Sequence, residues 1–497
     1  MPLVRELLAR GHEVHLGLTK VKGGEVERLR ELLDHPPGLS VEVAPRRRDG
    51  WSTVGNVIRS LTDLARYSDP RYDAAPVLRK RMGAAGTKAA RRSSLEPVGR
   101  LLANRMARRL AATSDAAASR QAIRTLARLE AAIPTSSVID RHLKELRPDV
   151  VLVNGVIRKG SQVEFVKSAR RLGIPVGVTI ASWDNLTNKG LIKVLPDRVF
   201  VWNETQRREA VEQHGIPAEN VVATGAQHFD EWFARQPSTG YEEFARKVGL
   251  DPGSGYVLYL GSSAFITENA GEVEFVERWI EALRASEDER VRGLGVLVRP
   301  HPGAPRRWRG NDLGRFGNVA VWPEVGVATV GASSRDDFFD SLRHSSAVVG
   351  INTTAMIEAG IVGKSVLTIL APEFAQETTL HFHYLLAENG GFVHVARSLP
   401  EHVVQLAGVL GGGEDDGQRR AFVQSFVRPH GLDRPATGIY ADAVEELASL
   451  KPAPAPRGSR VLRALLGVEA RLTGLGLSGR ARVIRRKSRP AGEASPQ

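Results

Sequence analysis

The chain has 497 residues, too many for one hydrophobic core and enough for two large domains with additions. Hydrophobic residues make up 42% and charged residues 25%, ordinary for a globular protein; cysteine is absent, which excludes disulfides and cysteine-ligated metal sites. The net charge of +13 is concentrated: residues 46–112 hold 16 Lys or Arg against 5 acids and residues 451–497 hold 11 against 2, leaving −7 for the rest. Two basic segments on a mildly acidic body fit an anionic partner, either a membrane surface or a nucleic acid. No signal peptide is recognised and no run of about 18 apolar residues occurs. The expectation is a cytoplasmic chain that meets a membrane only from its surface.

In chain order, Pro2–Arg10 has apolar positions 3, 4, 7 and 8 and reads as an amphipathic helix closed by Gly11. Residues 12–18 alternate as a strand. A parallel α/β unit normally places a strand before such a helix, so the natural protein is expected to begin upstream with a strand and a glycine-containing turn. Residues 46–147 form a basic helical insertion. Strands are then expected at 149–153, 176–180, 198–202 and 221–225, with helices between them, as in a parallel, doubly wound sheet.

Residues 236–255, rich in Pro and Gly, read as a connection to a second α/β domain. Its strands are expected at 256–260, 295–298, 347–350 and 365–369, and its last helix near 437–450. A Pro-Ala linker follows at 451–456. Beyond it, Val461 to Leu472 has the pattern of a basic amphipathic helix with Val461, Leu462, Leu465 and Leu466 apolar, and the terminus reads as disordered. The domains are therefore 1–235, including the insertion, 256–450, and a basic tail over 451–497.

Ligands of open parallel sheets sit beyond the carboxyl ends of the strands, so the polar loops there carry the chemistry. Three stand out in the second domain. Gly261-Ser262-Ser263 offers small residues with free N–H groups; Arg299-Pro300-His301-Pro302 brings a fixed cation able to grip phosphate in bidentate fashion; Gly350-Ile351-Asn352-Thr353-Thr354 opens a helix whose N–H groups suit a phosphate. Glu358, one turn after Thr354, shares its face and is placed to accept bonds from ribose hydroxyls. The plainer alternatives are an N-cap at 352–354 and a solvated Glu358. His301 holds a phosphate, acts as an acid, or caps a turn between prolines. His381-Phe382-His383 has no matching carboxylate at ligand spacing and reads as a cleft or core pair. Gly411-Gly412-Gly413 reads as a flexible loop. Neither a Walker A nor a Gly-x-Gly-x-x-Gly fingerprint is present.

The order of strand, Arg-Pro-His-Pro, strand, Asn-Thr-Thr and a helix bearing Glu resembles the donor half of GT-B glycosyltransferases. It is most similar to the CDP-glycerol glycerophosphotransferases of teichoic-acid synthesis. Thr224-Gly225-Ala226-Gln227-His228-Phe229-Asp230 is similar to the Thr-Gly-x-Pro-x-x-Asp step of such enzymes, with Gln227 in place of proline. Trp183-Asp184-Asn185-Leu186-Thr187-Asn188-Lys189-Gly190 is similar to their Trp-His-Gly-x-x-x-Lys loop, with Asp184 in place of histidine.

The resemblance covers roughly 148–445 and implies two Rossmann-like domains facing across a cleft. It implies a UDP- or CDP-linked donor held by Ser262, Ser263, Arg299, Asn352, Thr353, Thr354 and Glu358. A sugar or polyol-phosphate acceptor would lie beside Trp183, Asn185, Lys189 and His228, with Asp184 as the base and His301 as the next catalytic candidate. No cofactor or metal is required by that design. A peripheral place on the inner face of the plasma membrane fits a surface-polymer enzyme. Bulky Trp183 is expected to desolvate Asp184. The rival readings are a UDP-GlcNAc 2-epimerase-like enzyme and a basic nucleic-acid-binding protein, the latter weakened by an aromatic content of 6%.

Overall fold

The structure is a computed structural model that describes all residues except 1, 20–24, 33–35, 155–159, 264–270, 324–331, 375–378, 413–415, 453, 456–457 and 488–497. Gly413, parts of the 451–456 linker and the end of the basic tail therefore lie outside the described residues. Packing divides the chain into two α/β units. The first comprises Leu3–Val201, Gln206–Val222 and Ala441–Gln497; the second comprises Trp202–Thr205 and Ala223–Tyr440, with the first two residues of the chain. The expected pair of Rossmann-like domains is present, each built on parallel strands.

In the first unit, helix α1 (Pro2–Ala9) leads into β1 (Val14–Leu18), which pairs in parallel with β2 (Leu39–Val43) across α2 (Glu25–Leu32). These two strands form a sheet of their own. A second sheet runs β3 (Val151–Asn154), β4 (Val176–Thr179), β5 (Arg198–Val201) and β6 (Val221–Ala223) in sequential order, with the first three parallel. Between β2 and β3 lie α3 (Gly50–Arg66), α4 (Pro76–Arg91), α5 (Pro97–Ala111), α6 (Ala116–Ala132) and α7 (Ser137–Leu146), the expected insertion. Asp49 caps α3 by accepting from the Ser52 amide at 3.2 Å, and proline opens α4 and α5, where its missing N–H costs nothing. After β3, α8 (Ser161–Leu172) stops at Gly173, whose φ of 72° suits a residue without Cβ.

Helix α3 is less polar than its neighbours. Val54, Val57, Ile58, Leu61 and Leu64 bury into a cluster with Ala103, Ala107, Leu126 and Ile133. The C-terminal helix, Arg460–Lys487, joins that cluster through Ala470 and Leu466. It crosses α3 at Gly50, where any Cβ would strike the Ala470 carbonyl oxygen. Glu469 Oε1 accepts from the Glu96 amide at 2.7 Å, and Arg463 donates to the Ala132 carbonyl at 3.3 Å. The amphipathic helix expected at 461–472 is thus docked along its length. Its facing differs from expectation, since Leu466 turns inward while Val461, Leu465, Val468 and Leu472 stay exposed. Among the described residues no helix is long and apolar enough to cross a membrane.

The second unit holds six parallel strands: β7 (Tyr256–Leu260), β8 (Gly295–Arg299), β9 (Val319–Val321), β10 (Ala347–Gly350), β11 (Val366–Ile369) and β12 (His394–Ala396). They are ordered β12-β11-β10-β7-β8-β9. Every residue of β7, β8, β10 and β11 is buried, as continuous apolar runs require when helices cover both faces. One face packs Val257, Tyr259, Val298 and Val349 against Trp279 and Leu406. The strand order reverses between β7 and β10, so their carboxyl ends flank the topological switch point.

Candidate functional site

The loops singled out in the second unit leave three neighbouring strands, β10, β7 and β8. Gly261 follows β7 and donates its amide to the Arg299 carbonyl at 2.9 Å. A Cβ there would lie 2.8 Å from the His301 nitrogen, so glycine lets the first two loops touch.

Ser262 is fully buried, and its N–H is engaged by Glu272 Oε1 at 2.6 Å. Buried Glu272 also accepts from Tyr259 at 3.2 Å and pairs with Arg307. The amide expected to be free for a ligand therefore serves this internal network. Ser263 is half-buried at the edge of the undescribed 264–270 segment.

Arg299 is buried too. Its Nη1 donates to Ser341 Oγ at 2.9 Å, and its guanidinium lies 5.0 Å above the Phe338 ring, both on helix Ala332–His344. Burial lowers it to about 10, so it stays cationic at neutral pH. The bidentate grip expected of it is replaced by a fixed buried charge held to that helix. His301 Nδ1 accepts from the Gly303 amide at 2.9 Å, which in the neutral ring puts the proton on Nε2. Burial, and then the charge of Arg307, lower its basicity. A neutral Nε2–H donor suits phosphate binding better than acid catalysis.

After β10, Asn352 is buried and donates to Thr379 Oγ1 at 2.7 Å. The amides of Met356, Ile357 and Glu358 bond back to the Thr353 and Thr354 carbonyls at 2.9–3.3 Å, and Thr353 Oγ1 accepts from the Ala355 amide at 3.5 Å. The helix runs only Ala355–Ile361, and its first turn satisfies its own donors. The phosphate cradle expected at this helix start is correspondingly reduced. Glu358 differs from the rest of the loop. It is part-buried, its carboxylate has no partner among the described residues, and burial pushes it up to about 7.

The other candidate loop lies in the first unit, after β4. Trp183 is buried, whereas Asp184 keeps 20% of its side chain exposed and pairs with Lys189 Nζ at 3.0 Å. The carboxylate therefore sits in an ion pair beside the buried Trp183. Asn185 is buried and braces the turn, accepting from the Ala181 amide at 3.3 Å and donating to Asp184 at 3.1 Å. His228 belongs to the second unit, where its ring packs tilted against those of Trp202 and Phe229, with centroids 4.8 and 4.0 Å away; burial lowers it to about 4, leaving it neutral. Nearby Asp230 takes two bonds from Arg428, at 2.8 and 3.1 Å, and receives the Thr437 amide and hydroxyl at 2.7 and 2.6 Å. The aspartate that ends the Thr-Gly step is therefore a structural anchor.

Sequence reasoning missed what holds the Asp184 loop. Arg66 donates to the Leu186 carbonyl and, at 3.0 Å, to that of Lys189; Tyr67 also reaches the latter at 2.8 Å. Asp63 accepts from the Leu191 amide at 2.9 Å and from buried Lys193 at 2.7 Å. Burial pushes the Asp63 carboxyl up, opposed by Lys193. The available signal was Arg59, Asp63 and Arg66 at helical spacing inside an otherwise apolar helix.

No protein-family model matches the chain, and no curated protein matches it by sequence. Solved structures do. The UDP-GlcNAc 2-epimerase from Neisseria meningitidis bound to UDP-GlcNAc is similar over 66% of this chain and 82% of its own, at 16% identity and a TM-score of 0.42. The Methanocaldococcus jannaschii UDP-GlcNAc 2-epimerase in complex with UDP-GlcNAc and UDP is similar over 64% and 80%, at 15% identity and 0.41. A glycosyltransferase from Rickettsia africae is similar over 65% and 82%, at 11% identity and 0.41.

Proposed function

We propose that the second unit binds a nucleoside-diphosphate-linked donor and that the chain is a nucleotide-sugar-dependent enzyme on the GT-B plan. The reading rests on the loops at 261–263 and 351–354, which leave β7 and β10 on either side of the switch point of a parallel sheet. Glu358 would accept the ribose hydroxyls. The His301 Nε2–H would donate to a phosphate, and the buried charge of Arg299 would stabilise the leaving nucleotide without a divalent ion. On the finer reading the chain transfers a glycosyl or glycerophosphoryl group, from a UDP- or CDP-linked donor, to a sugar or polyol-phosphate acceptor of a cell-surface polymer. Asp184 would take the acceptor proton, with Lys189 beside it, and the work would be done on the cytoplasmic side of the plasma membrane.

A second reading is 2-epimerisation of a bound nucleotide sugar. The ion pair between Asp184 and Lys189 favours it, because an ammonium neighbour makes a carboxylate a weaker base. Epimerisation needs no acceptor base in that loop. Thermal shift and calorimetric titration with UDP, CDP, UDP-GlcNAc and CDP-glycerol test both readings. A folded protein that binds none of them overturns the proposal. Donor breakdown that requires an added acceptor supports transfer, whereas a new epimer formed without one supports the second reading.

A further inference from the structure

The first unit carries an exposed apolar surface that no fold requirement explains. On the C-terminal helix Val461, Leu465, Val468 and Leu472 recur at spacings of four, three and four, and keep 45–69% of their surface exposed. That spacing puts them on one narrow stripe. The opposite face, with Leu466, Ala470 and Thr473, is turned inward, so the stripe points away from the protein. Helix α5 adds Val98, Leu101 and Leu102, exposed by 62–71%. The two helices share one core cluster, and the Glu469 carboxylate of one lies against Gly99 of the other. Exposed leucines and valines gathered this way mark a docking surface.

Charge selects the occupant. Helix α5 contains no acid, and Arg100, Arg105, Arg108 and Arg109 stand exposed on it. Between Arg460 and Leu475 the one acid is Glu469, already bonded to the Glu96 amide, while Arg460, Arg463 and Arg471 are exposed. A second copy docking through the same patch would bring like arginines together. Aliphatic side chains give nucleic-acid bases nothing to stack on. An apolar strip bordered by arginine matches the boundary between acyl chains and anionic headgroups.

We propose that α5 and the C-terminal helix form one interfacial surface that lies flat on an anionic lipid bilayer. This is independent of whether the second unit binds a nucleotide. Full-length protein should co-sediment with vesicles of equal parts phosphatidylglycerol and phosphatidylcholine, and not with phosphatidylcholine alone. The pair Leu465→Glu and Leu472→Glu should weaken partitioning by at least roughly tenfold. Arg105→Glu with Arg109→Glu should weaken it by at least about tenfold and reduce its salt dependence. Thermal unfolding and nucleotide affinity should match wild type in both variants, since all four side chains are exposed. If a pair fails to fold, Leu101→Glu with Leu102→Glu reads the same surface from α5. Unchanged partitioning in a folded variant overturns the proposal. So does a wild-type dimer in light scattering that the leucine variants dissolve, or tighter binding to RNA than to the mixed vesicles.

Discussion

Lys189 closes an ion pair of 3.0 Å on Asp184, and both belong to a loop whose carbonyls are held by α3. If Asp184 is the proton acceptor of a transfer, Asp184→Asn should lower kcat by about 10²–10⁴-fold while leaving donor affinity intact. Lys189→Met should act mainly on acceptor KM. Wild-type turnover by Asp184→Asn, once donor and acceptor are identified, removes it as the base.

Glu358→Gln should weaken nucleotide binding by about 1.5–3 kcal/mol without changing the melting temperature by more than a few degrees. Burial holds the free carboxyl at about 7, and hydroxyl donors favour the ionised form. Affinity should therefore rise from pH 6 to pH 8 and fall as pH drops through that value, with proton release on binding near neutrality. Calorimetry in buffers of different ionisation enthalpy measures the release. Observed heats that do not vary with buffer ionisation enthalpy, with unchanged affinity in Glu358→Gln, would exclude ribose binding there.

His402 is fully buried against Trp279, both ring nitrogens lack partners among the described residues, and burial lowers it from 6.5 to about 4. The unfolded chain takes up this proton below about 6.5 while the folded one resists it. Stability is thus complete above that pH and is lost as pH falls toward 4, by on the order of 3 kcal/mol from this ring. His402→Leu should flatten the acid limb of the unfolding curve and raise stability at pH 5. An unchanged pH profile in the variant would refute the assignment.

The Asp63–Lys193 pair should be costly to break and cheap to replace. Asp63→Ala leaves a buried ammonium unpaired and should destabilise by about 3–5 kcal/mol, whereas Asp63→Leu with Lys193→Met should restore most of that. Denaturant unfolding measures both. If the Asp184 loop takes part in turnover, the restored double variant should still turn over more slowly, because the Leu191 amide loses its partner.

The strands that fill the sheet centres were legible because continuous apolar runs ended by small or polar residues allow little else, as at Tyr256–Leu260 and Ala347–Gly350. Strands β9 and β12 have only three residues each, and β2 buries only one of its five, so all three carry little apolar signal. In the candidate site the motifs were readable as loops. What each donor bonds to was not, since Glu272 and Ser341 reach Ser262 and Arg299 through the fold. Arg59, Asp63 and Arg66 at helical spacing in an apolar helix mark buried polar partners, but which loop, over a hundred residues away, they hold is set by the fold alone.

Helix α3 spans 17 residues, a rod of about 25 Å. Near one end Gly50 and Trp51 lie under the C-terminal helix; at the other Asp63, Arg66 and Tyr67 hold the backbone at Leu186–Leu191. Its middle is wedged into a close-packed cluster that resists bending. One continuous, unbent element therefore carries at its two ends the seat of the C-terminal helix and the bonds that fix the Asp184 loop.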